Sequence, residues 1–183
     1  SIDHKQAEYL SSIRASCHFL RNLADHILGI AKIETGRLNL KEEDFDLNEV
    51  IKDVAKITYP SMKEKPIQFI YEIEEEVPVR LSGDPDRLKQ ILLNLVSNAV
   101  KFTKEGEIRL KVRLMTILGK GCHVFFVVKD SGPGIPRSQQ MEIFKPSFQA
   151  EEGIHGKYAD SGLGLWICKV LVEESGGLIS LHS

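Results

Sequence analysis

Cysteine is scarce in this chain: Cys17, Cys122 and Cys168 are the only three among 183 residues. No two of them form a CxxC pair, which excludes a cysteine zinc site and a dithiol redox centre. Each lies in an apolar-periodic segment and is expected to act as a small core hydrophobe in a reducing compartment. Charge of one sign is also lacking. The formal net charge is −2, without the basic excess that marks a nucleic-acid footprint, so no nucleic-acid partner is expected. Nor does any run approach the roughly 20 consecutive apolar residues of a membrane span, so no membrane contact is expected from this stretch. Residues 1–10 are polar from the start and show no secretory or transit signal. They read as mid-helix, so the chain is expected to begin inside a larger protein. With 42% apolar and 27% charged residues, the composition is that of a folded globular domain. The acidic run Glu74-Glu75-Glu76 reads as a solvated turn.

The first 35 residues carry a heptad seam. Leu10, Ile13, Cys17, Leu20, Ala24, Ile27 and Ala31 alternate steps of three and four between polar neighbours. One helix cannot bury such a stripe alone, so it is expected to pair with another helix. Gly36 supplies a stop. Beyond it, Leu38, Leu40, Phe45 and Leu47 alternate like a short strand. Asp46-Leu47-Asn48-Glu49 has capping-box spacing before the periodic Val50, Ile51, Val54 and Ile57. Pro60 and the Lys63–Pro66 stretch are expected to end that helix. Residues 67–73 read as a strand, and residues 107–117 and 122–129 as a hairpin turning at Gly119-Lys120-Gly121. Residues 145–161 show no period. Helix signals resume at Gly162 and end at Gly176-Gly177, before a final short strand. This mixture predicts an α+β fold, a two-layer sandwich.

The most informative element is the helix expected over 86–102. Its apolar stripe reads Leu88, Leu92, Leu95, Ala99 and Phe102. Asn94, Asn98 and Lys101 form a second stripe, each one position earlier, and so lie along one line beside the buried face. Amide oxygens ligate hard cations and a lysine meets phosphate as a point charge, so this edge suits a ligand; it equally suits the polar flank of an ordinary amphipathic helix. Downstream, Asp130-Ser131-Gly132-Pro133-Gly134 leaves an apolar strand for a glycine-rich turn. There a carboxylate can accept a hydrogen bond, and Gly132 and Gly134 allow close backbone approach. Gly162-Leu163-Gly164-Leu165 opens a helix, whose free N–H groups suit phosphate. Neither the Rossmann nor the P-loop spacing is present.

In this order the elements resemble the sensor histidine kinases. DRLKQILLNLVSNAVKFT (86–103) is similar to their N box, residues 130–136 to the G1 box, Ile143-Phe144-Lys145-Pro146-Ser147-Phe148 to the F box, and residues 161–165 to the G2 box. Residues 31–38 resemble the end of the second helix of the dimerisation bundle. The resemblance covers nearly the whole chain. It implies residues 1–37 as part of that bundle, forming a homodimer through the heptad seam, and residues 38–183 as an ATP-binding catalytic domain lacking its last strand. It also implies a Mg-ATP site. Asp130 would accept from the adenine amino group, with Gly132 and Gly134 shaping the base pocket. Asn94 and Asn98 would face magnesium, and Lys101 the phosphates. Ser161, Gly162, Leu163, Gly164 and Leu165 would hold the phosphates, and residues 145–161 would form a lid. Trp166, one residue inside its helix, is expected to pack in the core. His123 reads as structural.

The chemistry implied is phosphoryl transfer from ATP to a histidine and onward to a response regulator, in the cytoplasmic part of a membrane-bound sensor. Chaperone and topoisomerase relatives carry a glutamate at the position matching Asn94, the catalytic position, where it activates water. An amide cannot take that proton, so poor ATP hydrolysis is expected. No histidine here fits the acceptor motif: His4, His18 and His26 all lack the following acidic residue, which puts the acceptor helix before residue 1. Ala159-Asp160 stands where relatives have Gly-Gly, and Ser147 replaces an aromatic residue. These departures admit a second expectation, a kinase-like module with weak or no catalysis that docks on another protein.

Overall fold

The computed structural model describes residues 41–63, 65–119, 121–146 and 163–183, together with Gln6 and Tyr9. The heptad seam, Cys17, Gly36, most of the 145–161 segment, Ser161 and Gly162 lie outside the described residues. The elements in chain order are β1 (Glu43–Asp46), α1 (Leu47–Met62), β2 (Ile67–Ile73), β3 (Arg80–Gly83), α2 (Pro85–Phe102), β4 (Gly106–Leu118), β5 (Gly121–Asp130), a single turn α3 (Arg137–Gln140) and α4 (Gly164–Glu174).

Two sheets form. β1 pairs antiparallel with β3, Phe45 opposite Leu81. The larger sheet has the order β2-β4-β5. β2 runs parallel to β4, with α2 lying in the connection between them, and β4 turns back antiparallel into β5. Gly119 takes the hairpin turn at φ +61°, a left-handed conformation that L side chains adopt only at a cost. α1 and α2 cover one face of this sheet. Leu47, Val50, Ile51 and Val54 of α1, Leu92, Val96, Ala99 and Val100 of α2, and Ile108, Leu110 and Val112 of β4 make one buried cluster. This is the expected α+β two-layer arrangement.

α1 starts as its spacing predicts: the Asp46 carboxylate caps the Asn48 amide at 2.7 Å. Glu49 binds Lys52 at 2.9 Å. Pro60 does not end the helix, which runs on to Met62. So near the end, a proline removes one intrahelical bond from a turn that was about to lose it anyway. Ile57 is 57% exposed, and Thr58 is buried in its place with its hydroxyl on the Val54 carbonyl.

The α2 stripe is also rotated from expectation. Val96 and Val100 are buried, Leu95 is only half-buried, and Phe102 is 39% exposed. The expected strand after Gly177 is absent: residues 178–183 have no ladder, and Leu178 lies in solvent. A strand without a partner gains no ladder bonds. Cys168 is a core residue, whereas Cys122 is half-buried on β5. Glu74 closes the acidic turn, accepting from Val77, and also pairs with Lys111 and Arg113.

Candidate nucleotide site

α2 is the spine of the site. Asp84 caps it, its carboxylate accepting from the Arg87 amide at 3.0 Å, with Pro85 in the first turn where no N–H is needed. The sheet and α1 hold its apolar face, and α4 packs along a second side. That contact is close: the Cys168 thiol lies 3.7 Å from the Ile91 carbonyl, and a Cβ built on Gly164 would stand 4.0 Å from the Asn94 amide carbon. The start of α4 thus lies directly beside Asn94. Asn94, Asn98 and Lys101 are all half-buried, along this side of the helix.

The other end of the stripe meets the glycine turn. Asp130, exposed at the end of β5, accepts a hydrogen bond from the Gly132 amide at 2.7 Å. A Cβ on Gly132 would sit 2.7 Å from that carboxylate and 3.4 Å from the Phe102 carbonyl, so any side chain there must displace the Asp130 carboxylate. Gly134 takes φ +73°. Ser131 ties the turn to β4, its hydroxyl donating to the Glu105 carbonyl and accepting from the Glu107 amide, each at 3.0 Å. From Asn94 to Lys101 is two helical turns, roughly 10 Å. One edge of α2 thus runs from the start of α4 to the Asp130 turn.

The chemistry along this edge is uneven in one telling way. The Asn94 side-chain nitrogen is buried and has no hydrogen-bond partner, in a fold where such donors are rarely left unmet. An acceptor brought in beside it would satisfy it. Among the described residues no group of three or more His, Cys, Asp or Glu side chains could hold a metal ion. A cation here needs oxygens from a ligand beside the amides, as magnesium on phosphate does. Burial pushes the neighbouring Cys168 thiol up to about 12, so it stands neutral beside Asn94. Trp166 is half-buried rather than a core residue; Ile167, Cys168 and Leu171 fill the core from α4. Lys101 lies with its ammonium 5.2 Å from the centre of the Phe102 ring.

Residues 83–183 match the family described as histidine kinase-, DNA gyrase B-, and HSP90-like ATPase. The chain belongs to that family. The Sensory/regulatory protein RpfC of Xanthomonas campestris is 37% identical over 97% of this chain and 25% of its own length. The structure of full-length ShkA in complex with AMPPNP is similar with a TM-score of 0.75 and 30% identity, covering 96% of this chain and 35% of that one. Histidine kinase ThkA, solved in complex with response regulator protein TrrA, is similar with a TM-score of 0.59 at 29% identity, covering 86% of this chain and 43% of that one. The chain spans a quarter or less of the length of the curated relatives it matches. Relatives within the family include signal transduction histidine-protein kinase BarA of Escherichia coli, 34% identical over 97% of this chain, and residues 83–183 correspond to the ATPase region.

Sequence reasoning missed one residue next to this site. Lys65 reaches the end of α2 from 35 positions upstream, with its ammonium on three main-chain carbonyls. A contact at that separation leaves no local periodic signal.

Proposed function

We propose that this chain binds Mg-ATP along the Asn94–Lys101 edge of α2 and supplies the γ-phosphoryl group to a histidine outside it, from which the group passes to an aspartate of a response regulator. The observation that carries this reading is the buried, unpartnered Asn94 amide facing the start of α4, two turns from the Asp130 turn. Asp130 with Gly132 and Gly134 receives the adenine. Lys101 and the amides at Gly162, Leu163, Gly164 and Leu165, with Ser161, meet the phosphates. Asn94 and Asn98 supply amide oxygens to magnesium, which when bound neutralises phosphate charge. Asn94 has no basic oxygen to activate water, so the phosphoryl group is kept for the histidine. The relatives' pairing with a response regulator protein supports the partner, and their sensor roles support residues 38–183 as the catalytic unit of a sensor's cytoplasmic part. Residues 1–37 then belong to the helical bundle through which two copies dimerise. The docking-only reading is not favoured, because the family match spans residues 83–183 and the relatives it resembles are signal-transduction kinases.

The test is thermal unfolding with and without Mg-ATP. Ligand at a hundredfold excess over Kd is expected to raise stability by about 2.7 kcal/mol. Asp130→Asn should abolish the shift, since an amide in this turn presents the wrong donor pattern to the base. A chain with no shift at millimolar nucleotide overturns the reading.

A further inference from the structure

The last turn of α2 ends without a glycine. Thr103 is its C-cap in an extended conformation (φ −81°, ψ 127°), so the usual left-handed closure of free carbonyls is not available. Lys65 takes that place. Its ammonium donates to the carbonyls of Val100 at 2.5 Å, Thr103 at 3.0 Å and Lys101 at 3.2 Å. An ammonium has three hydrogens at tetrahedral spacing and no acceptor, and three converging carbonyls satisfy it fully. The positive charge also sits at the negative end of the helix dipole.

The base of this clamp is held by main-chain hydrogen bonds. The Lys65 amide donates to Met62 at 3.0 Å and its carbonyl accepts from Ile67 at 2.8 Å. The next carbonyl, of Pro66, accepts from Gly106 at the start of β4 at 3.0 Å. One carbonyl of the turn, that of Phe102, is left out of the clamp, and it is the one against Gly132. The last turn of α2 is therefore gripped by Lys65 on one side and carries the glycine turn on the other.

We propose that Lys65 is a positioning residue of the nucleotide cleft, holding the end of α2 so that Lys101 and the Asp130–Gly132 turn keep their register. This rests on the nucleotide reading of the site. The test compares the full chain with Lys65→Met by amide hydrogen exchange without ligand, and by AMPPNP titration in magnesium. The amides of Thr103, bonded to Ala99, and Gly132, bonded to Asp130, are expected to exchange about tenfold faster, while Leu88 in the first turn stays unchanged. The AMPPNP dissociation constant should rise about tenfold. Asp53→Asn is the control: it removes the Lys89 pairing that joins α1 to the N-terminal part of α2, and should change the constant less than about twofold. Lys65→Arg should restore only part of the affinity, because a planar guanidinium cannot aim three donors at one converging set. Unchanged exchange at Thr103 and Gly132, or an affinity loss no larger than the control's, overturns the proposal. If Lys65→Met does not fold, Lys65→Gln, which keeps two donors, is judged by the same exchange contrast. A parent chain that binds no nucleotide refutes the nucleotide reading, whereas the exchange contrast judges the clamp by itself.

Discussion

Asn94 and Thr103 present the same defect with opposite meanings. Both have a buried side-chain polar atom with no partner, which costs about 1–3 kcal/mol apiece. Asn94 faces the start of α4; Thr103 is fully buried at the helix cap. Asn94→Leu is expected to raise the stability of the free chain by about 1 kcal/mol and to remove its response to Mg-ATP. Thr103→Val should also stabilise by about 1 kcal/mol but keep that response. Thermal melts of the two variants with and without nucleotide check both outcomes; a destabilised Asn94→Leu that still responds contradicts the role given to Asn94. Cys168 makes a pH prediction. Its thiol is held protonated in the fold, raised from an ordinary 9.0 to about 12 by burial. Below pH 9 both states keep the proton and the contribution is intact. Above it the unfolded chain loses the proton first, so stability falls by up to about 1.4 kcal/mol per pH unit from this group. Denaturant midpoints between pH 8 and 11 should fall less steeply for Cys168→Ala than for the parent.

At the scale of elements, α2 joins three neighbours: the sheet with α1, α4, and the Asp130 turn. The turn is the tightest of these contacts. Gly132→Ala would bring a Cβ within 2.7 Å of the Asp130 carboxylate and push it from its place. It is expected to weaken AMPPNP binding by at least about tenfold with little loss of helix content, measured by titration and circular dichroism. The helix itself was legible from its alternating apolar steps and its Asp84-Pro85 start, and the hairpin from two β-rich runs around glycines. The buried stripe was less so. Periodicity places faces on a helix but does not say how many are covered, and α2 is covered on two sides, so Val96 and Val100 are buried where Leu95 and Phe102 were expected. β3 passed unnoticed because four residues with one apolar side chain, Leu81, carry no pattern; its pairing with β1 decides it. The strand expected after Gly177 had the right alternation but finds no partner, and Lys65 reaches its carbonyls across a separation that no local rule reads. The placement of the stripe and the glycine turn was legible, since each is set by local spacing.

For the whole molecule, the arrangement is a helix edge with the Asp130 glycine turn at one end and the start of α4 at the other, carried on a mixed sheet. Among the described residues no helix is long and apolar enough to cross a membrane. Membership of the ATPase family accounts for the order of the motifs, and the geometry accounts for why each is where it is. A catalytic region and a docking module would share this fold but not the ligand. The most direct measurement is calorimetric titration of the full chain with AMPPNP, with and without magnesium, alongside Asp130→Asn and Asn98→Ala. The account predicts one saturable site, tighter with magnesium, lost in Asp130→Asn and stripped of its magnesium dependence in Asn98→Ala. Binding that is absent at millimolar ligand, or equal in all three proteins, contradicts it.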